Sequence, residues 1–371
     1  AHAYHFVLLS PMVGMMAVTG GETAILKSAC RLKSLAVVQM LAVVAALVVS
    51  VPFYYYFGMD GIIPVLLATS LATLLLTLRC SCKVCPYVLR GSRGILGEGM
   101  GMVRLGVAFV LAGILGSGAE MAIRTFLNAG GSLDMVGLYN AGYMLTITYS
   151  GMVFSAMETD YFPRLSAVNH DLAAMRDMVN RQVEVSLLLV SPMLCVLIVF
   201  LPLLLPLLYS RCFLEVVAMG QVAALSMYFK AVTLPVEYVN LARGDSRSYL
   251  LLEAAFDVLM VAAIVVGYRL FGLWGTGLAL SVTHLLNVLM VVLYARRRYA
   301  YKVSRKVVAY MAIQYALGAL TYASTFVRYD GLRWSLGVLA ALASGVFSLY
   351  IIIYKQTSLW SVLKKKVLRH G

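Results

Sequence analysis

Residues 136–180 read VGLYNAGYMLTITYSGMVFSAMETDYFPRLSAVNHDLAAMRDMVN, and the fold class follows from them. An apolar helical segment ends in a dense polar knot, Glu158, Asp160, Tyr161, Pro163 and Arg164, and an amphipathic connector follows. A helix rises 1.5 Å per residue, so about 20 apolar residues cross a hydrocarbon core of about 30 Å. The segment before the knot meets that length, and hydrophobic segments of similar length lie on both sides. The stretch is predicted to be the hinge between a membrane span and the cytoplasmic face of a polytopic protein.

Composition points the same way. Of 371 residues, 62% are hydrophobic and 12% charged, with a mean hydropathy of +0.88. A soluble domain of this size does not carry such a composition. The apolar residues come in long runs rather than in the short alternation of a barrel strand. The net charge of +14 sits between the apolar runs, where it reads as membrane orientation rather than as a nucleic-acid surface. Cys30, Cys80, Cys82, Cys85, Cys195 and Cys212 fall in spans or cytoplasmic loops, so no disulfide framework is expected.

Taken in order, Tyr4–Val18 reads as the tail of a span whose beginning is missing, followed by a loop with Gly20, Gly21, Lys27, Arg31 and Lys33. Full spans are predicted at Ser34–Phe57, Gly61–Leu78, Val103–Asn128, Met135–Met157, Val183–Leu208, Leu214–Val239, Ser248–Leu270, Gly272–Tyr294, Val307–Val327 and Trp334–Tyr354. That is an all-α integral membrane bundle of ten full spans and one partial one. Assigning alternate loops to opposite sides puts 24 Lys and Arg on one face and 4 on the other, with Arg124 and Lys230 inside spans. The rich face, including the C-terminus, is predicted to be cytoplasmic.

The outward loops are only a few residues long, for example Asn128–Asp134, which leaves little room for an outer catalytic domain. Neither G-x-x-x-x-G-K-[ST] nor H-E-x-x-H occurs. A secondary transporter or flippase with no enzymatic activity is the natural remainder. Ionisable residues within spans are then the strongest pointers, because each is expensive in hydrocarbon. Glu120 and Arg124 share a helix face at i and i+4, as a structural ion pair or as a cavity-facing group. Lys230 lies deep in its span, with Glu237 near the cytoplasmic end. It has a long snorkelling route or a cavity to face, where a cation meets phosphate as a point charge. Glu253 and Asp257 again lie at i and i+4; they suit proton or cation coupling, or Glu253 complements its helix N-terminus. Pro192, Pro202 and Pro206 predict kinks and freed carbonyls. The run Gly272–Gly277 reads as close helix packing, and His284 as a hydrogen-bonded core residue. Cys80, Cys82 and Cys85 form C-x-C-x-x-C without a fourth ligand, so no metal site is expected. Tyr54–Tyr56, Trp334 and Trp360 read as interfacial belt residues.

The block from Val136 quoted above, VNRQVEVSLLLVSPML from Val179, LARGDSRSYLLLE from Leu241 and FGLWGTGLA from Phe271 together resemble a bacterial O-antigen or capsular polysaccharide translocase. That family belongs to the multidrug, oligosaccharidyl-lipid and polysaccharide exporter superfamily. The resemblance implies two helical lobes around a central cavity, moving undecaprenyl-diphosphate-linked oligosaccharide across the bacterial inner membrane by alternating access. On this mapping residues 1–78 are the remnant of an N-terminal lobe, with its first three helices and part of a fourth absent. Residues 79–102 are a basic cytoplasmic linker, 103–294 a six-helix C-terminal lobe, and 295–371 two extra helices and a basic tail. Arg124 and Lys230 are then expected to meet the diphosphate, and Tyr139, Asn140 and Tyr143 the sugars. Glu253, Asp257 and Glu120 become ion-coupling candidates, and Asp160, Pro163, Arg164 and Pro192 gate or hinge candidates. No cofactor is implied beyond a proton or sodium gradient; partners are the lipid-linked saccharide, membrane lipids, and a polysaccharide polymerase or chain-length protein. The rivals are a multidrug or metabolite antiporter, a membrane transferase, and a non-transporting fragment. A cavity of net positive charge would favour the flippase, and one dominated by carboxylates the antiporter.

Overall fold

The computed structural model describes residues 2–29, 31–84 and 95–355. Cys30, Cys85, Arg90, Arg93, Trp360 and the basic tail beyond Lys355 lie outside the described residues. The chain divides into two compact units, Ala1–Leu96 with Thr159–Arg164, and Gly97–Glu158 with Leu165–Gly371.

The first unit holds α1 (His2–Ser28), α2 (Leu32–Phe57) and α3 (Ile62–Val84). α2 and α3 are antiparallel neighbours joined by a single 3-10 turn, Gly58–Gly61. Gly58 takes φ 54°, a left-handed conformation that glycine adopts without a Cβ penalty, and its N–H caps the carbonyl of Tyr54. α1 runs ten residues past the expected end at Val18, through Gly20 and Gly21. The hydroxyls of Thr19 and Thr23 donate to the carbonyls four residues back along this continuous helix, which carries Glu22 into a buried position.

The second unit holds α4 (Ile95–Gly130) beyond its first residues, α5 (Leu133–Tyr143), α6 (Tyr149–Ala167) outside 159–164, and α7 (Leu172–Leu208). α8 (Val217–Ala242), α9 (Ser246–Tyr299), α10 (Arg305–Ser324) and α11 (Asp330–Tyr350) complete it. The polar knot after Met157 is helical: α6 continues to Ala167, and only Val168–Asp171 separates it from α7. Asp171 caps α7 by accepting from the backbone N–H groups of Ala173 and Ala174 at 2.8 and 3.0 Å.

Among the described residues eight helices are long and apolar enough to cross a membrane, so the protein is a multi-pass, helical membrane protein. The difference from ten has two sources. α9 is a single run of 54 residues that breaks at Gly272 (φ 61°, ψ −145°) into two arms, as the expected boundary between Leu270 and Gly272 requires. The segment from α5 through α6 is not among the eight, because Thr146, Thr148, Ser150, Ser155 and Glu158 dilute its apolar character.

Glycine sets how closely the arms of α9 pack. A Cβ on Gly275 would strike the carbonyl of Gly267 on the other arm, and one on Gly277 would strike the carbonyl of Met219 in α8. Removing side chains at helix contacts is how membrane helices gain close approach. At the basic end of α9, Asp245 caps the helix through the N–H of Ser248, and Tyr299 donates to its second oxygen. Burial raises the Asp245 carboxyl, but its hydrogen bonds to Ser248 and Tyr299 and the Arg298 charge outweigh this and hold it below the usual carboxylate range.

α7 accommodates Pro192, Pro202 and Pro206 in one helix, and α10 and α11 pack against it. Proline 202 has no N–H for the carbonyl of Ile198 four residues earlier. The side-chain amide of Gln221, buried on α8, donates to that oxygen at 2.9 Å. An unpaired carbonyl there would cost roughly 1–3 kcal/mol. Gln221→Leu is therefore expected to lower thermal stability of the detergent-solubilised protein by an amount in that range. Pro202→Ala, which restores the backbone donor, should make the same Gln221→Leu change nearly neutral; equal losses in both backgrounds would refute the assignment.

Candidate functional site

Glu120, Arg124, Lys230, Glu237, Glu253 and Asp257 all belong to the second unit. Glu120 and Arg124 on α4 lie ten and six residues from the end of that helix at Gly130, or roughly 15 and 9 Å. The Arg124 guanidinium donates to Glu120 Oε2 at 2.8 Å and, through Nε, to Asn140 Oδ1 on α5 at 3.0 Å. Its side chain remains 45% exposed and that of Glu120 38%. The positive group is thus oriented by two partners yet not enclosed by them, so it can still accept a ligand. Tyr143 donates to the other Glu120 oxygen at 3.5 Å. Tyr139 is buried, its ring 5.7 Å from that of Tyr143, so of the two tyrosines it is Tyr143 that lines the neighbouring cavity.

Immediately after Tyr143 the helix widens into a π-turn, Met144–Thr148, before α6 begins. Such turns insert a residue into the helical ladder and re-aim the side chains around it. Here Thr146 donates back to the Gly142 carbonyl at 2.7 Å, while Ile147 and Thr148 face a cavity of about 490 Å3. Gly142 lets α5 approach α8: a Cβ there would lie 2.8 Å from the Met219 sulfur. The remaining wall includes Glu120, Ser155 and Glu158, and Lys230 of α8. The lining therefore carries two carboxylates against one ammonium, with hydroxyls between them.

Behind the cavity, α8 and both arms of α9 bring further acids together. Glu237 accepts from Asn287 Nδ2 at 2.9 Å and lies in the field of Lys230 and Glu158. Glu253 lies in the field of Glu237, Asp257 and Lys230. Asp257 faces α4, where a Cβ on Gly116 would approach its carboxylate to 3.8 Å, and Glu120 is its charged neighbour. Asp257 Oδ2 and Asn287 Oδ1 are buried without a hydrogen-bond partner among the described residues. His284 is buried, with Nδ1 at 2.9 Å from the Leu280 carbonyl and its ring edge-on to Phe256.

The structure thus brings Glu120, Arg124, Asn140 and Tyr143 into one group, and Lys230 into the cavity beside it. Glu253 and Asp257 lie on the adjoining arm of α9. Asp160 and Arg164 form their own i,i+4 pair at 2.6 Å, half-exposed, around Pro163 in α6, and Pro192 lies within α7. Sequence reasoning gave no binding role to Glu158, Thr148, Ser155 or Asn287. Asn287 stands 50 positions from Glu237, and no local pattern announces such a pair.

Burial separates the two kinds of ion contact. A half-exposed pair such as Glu120–Arg124 contributes up to about 1 kcal/mol, whereas leaving the buried Glu237 carboxylate without its amide costs roughly 1–3 kcal/mol. Thermal unfolding in detergent is expected to rank Asn287→Ala as clearly more destabilising than Glu120→Gln. The reverse order would mean that Glu120 and Arg124 form a structural brace rather than a ligand-facing group.

Three comparisons bear on this arrangement. A family profile described as "Polysaccharide biosynthesis protein" matches residues 3–218. No curated protein matches the chain. Among solved structures, the fold is similar to a MATE protein crystallised in complex with MaL6, with a TM-score of 0.71 over 80% of this chain and 69% of that one at 14% identity. It is also similar to the lipid II flippase MurJ in an inward closed conformation, with a TM-score of 0.51 over 95% of this chain and 74% of that one at 11% identity. At these identities the likeness is one of fold.

Proposed function

The chain belongs to the polysaccharide biosynthesis protein family, and on that premise we propose that it is a flippase for undecaprenyl-diphosphate-linked oligosaccharide, working by alternating access in a bacterial inner membrane. The observation that carries the reading is the half-exposed Arg124, held in place by Glu120 and Asn140 beside a cavity that contains Lys230. A diphosphate needs cations that are oriented but not consumed by internal partners. Arg124 supplies a planar two-donor edge and Lys230 a point charge. Tyr143, Thr148 and Ser155 line the same space and offer hydroxyls to sugars. Lys230 stands at the middle of α8, and alternating-access transporters place substrate at such a depth.

The acids are assigned to coupling. Asp257 on α9 lies in the field of Glu120 on α4, and Glu253 in the field of Glu237, Asp257 and Lys230. A proton or sodium ion entering either group offsets repulsion among the carboxylates, so a gradient of that ion drives the cycle. Asp160, Pro163, Arg164 and Pro192 keep their assignment as hinge elements. Residues 103–294 are taken as the transporting lobe, α10 and α11 as additions to it, and residues 79–102 as the linker. A polymerase or chain-length protein would receive the product.

One observation favours a second reading. The cavity lining bears more carboxylates than ammonium groups, which suits a cation-exporting antiporter. Translocation in proteoliposomes decides between them, using fluorescent undecaprenyl-diphosphate oligosaccharide and a cationic dye in parallel. The flippase reading expects the lipid-linked saccharide to move and Lys230→Gln to slow it about 10- to 100-fold, the equivalent of one charged hydrogen bond. Dye export with no movement of the saccharide would replace it with the antiporter.

A further inference from the structure

A second cavity, at the end of the second unit away from the basic loops, plays no part in the transport site. It encloses about 120 Å3 between α7, α8 and the junction of α10 with α11, and its wall includes Pro202, Gln221, Ser324, Thr325, Arg333 and Trp334. Its position is fixed by packing. Gly337 on α11 lies so close to α7 that a Cβ would come within 3.0 Å of Val199 and 3.1 Å of Ser324. Phe200 meets Trp334 edge-on at 5.8 Å.

The hydrogen-bonding capacity of the wall is unusually specific. The hydroxyl of Ser324 donates to the Thr321 carbonyl at 2.7 Å, and that of Thr325 to the Tyr322 carbonyl at 2.6 Å. Gln221 commits its amide nitrogen to Ile198. With their protons committed, the two hydroxyls offer lone pairs, so this part of the wall accepts hydrogen bonds from a ligand. The one formal charge in the lining is Arg333. Its partner Asp330, at 3.4 Å, is 81% exposed and outside the cavity. Such an exposed pair is weak, so the guanidinium can exchange Asp330 for a ligand carboxylate. The apolar side is provided by Trp334 and Pro202.

A fully ionised inorganic anion such as sulfate would satisfy Arg333 but donate nothing to Ser324 or Thr325, and a neutral sugar would leave the Arg333 charge uncompensated. A single ring that carries hydroxyl donors, a carboxylate and a C–H face matches every part of the wall, and the volume admits one such ring. We propose that this cavity is a saccharide subsite holding one acidic sugar residue, of the uronate class. The inference rests on the saccharide reading above and names a substrate class that the transport site does not.

The chain contains three tryptophans, so replacing Trp274 and Trp360 by Phe leaves Trp334 as the reporter. Its fluorescence in detergent would be titrated with methyl glucuronide, methyl glucoside and glycerol phosphate. The expected result is a saturable change with the glucuronide alone, weakened about tenfold or more by Arg333→Gln and abolished by Val217→Phe, which fills the cavity. Asp330→Asn, which frees the guanidinium, should tighten it. An equal response to the glucoside shows a neutral-sugar site, a response led by glycerol phosphate shows a lipid-headgroup site, and indifference to both Arg333→Gln and Asp330→Asn removes the cation from recognition; each overturns the proposal. No response while saccharide translocation persists removes the subsite and leaves the function, whereas glucuronide binding without translocation does the reverse.

Discussion

A carbonyl or carboxylate inside hydrocarbon must find its donor within the protein, and that requirement organises the second unit. Pro202 frees the carbonyl of Ile198, and Gln221 crosses from α8 to satisfy it. Between α10 and α11, Gln314 exchanges hydrogen bonds with Ser344 and Ser348, at 2.6 and 2.8 Å. Asn180 on α7 accepts from the N–H of Ser304 and donates to the carbonyl of Lys302, tying the α9–α10 turn to the bundle. These polar links, rather than apolar burial, specify which helices are neighbours, because lipid tails cover an apolar face as well as another helix does.

Against that background the incompletely satisfied groups are informative. Arg124 is oriented but half-open, Asp257 and Asn287 each keep a buried oxygen without a partner among the described residues, and the helix bearing Tyr143 widens at that point into a π-turn. Asp257 and Asn287 account for two of the four such buried atoms among the described residues, the others being Ser150 Oγ on α6 and Asn240 Oδ1 near the end of α8. The large cavity adjoins Arg124 and the π-turn, walled by α4, α5, α6 and α8. Irregular backbone and unpaired charge are tolerated in membranes where they line such a space, and a substrate combining a diphosphate, sugars and a lipid tail draws on both the cations and the hydroxyls found there.

Much of this was legible in the chain. The order of spans followed from runs of apolar residues, and the break at Gly272 from a glycine-rich boundary between two such runs. The pairing of Glu120 with Arg124 followed from helical spacing alone. Other features were hidden for physical reasons. Gly20 and Gly21 read as a loop, but α1 runs on through them to Ser28, because an isolated glycine pair costs a helix only about 1 kcal/mol per residue. The knot around Glu158 read as a helix end because its composition is polar, yet a helix can continue into water. The link from Gln221 to Ile198 and that from Asn287 to Glu237 join residues 23 and 50 positions apart, and no periodicity encodes them. The π-turn Met144–Thr148 leaves no mark in composition or periodicity.

The central claim is that Arg124 and Lys230 recognise a diphosphate in the membrane. Native mass spectrometry of the detergent-solubilised protein with undecaprenyl diphosphate and undecaprenol tests it most directly. The account predicts a preference for the diphosphate that falls about tenfold or more, the equivalent of one charged hydrogen bond, in Arg124→Gln and in Lys230→Gln. Equal retention of the two lipids, or a preference that survives both substitutions, would contradict it.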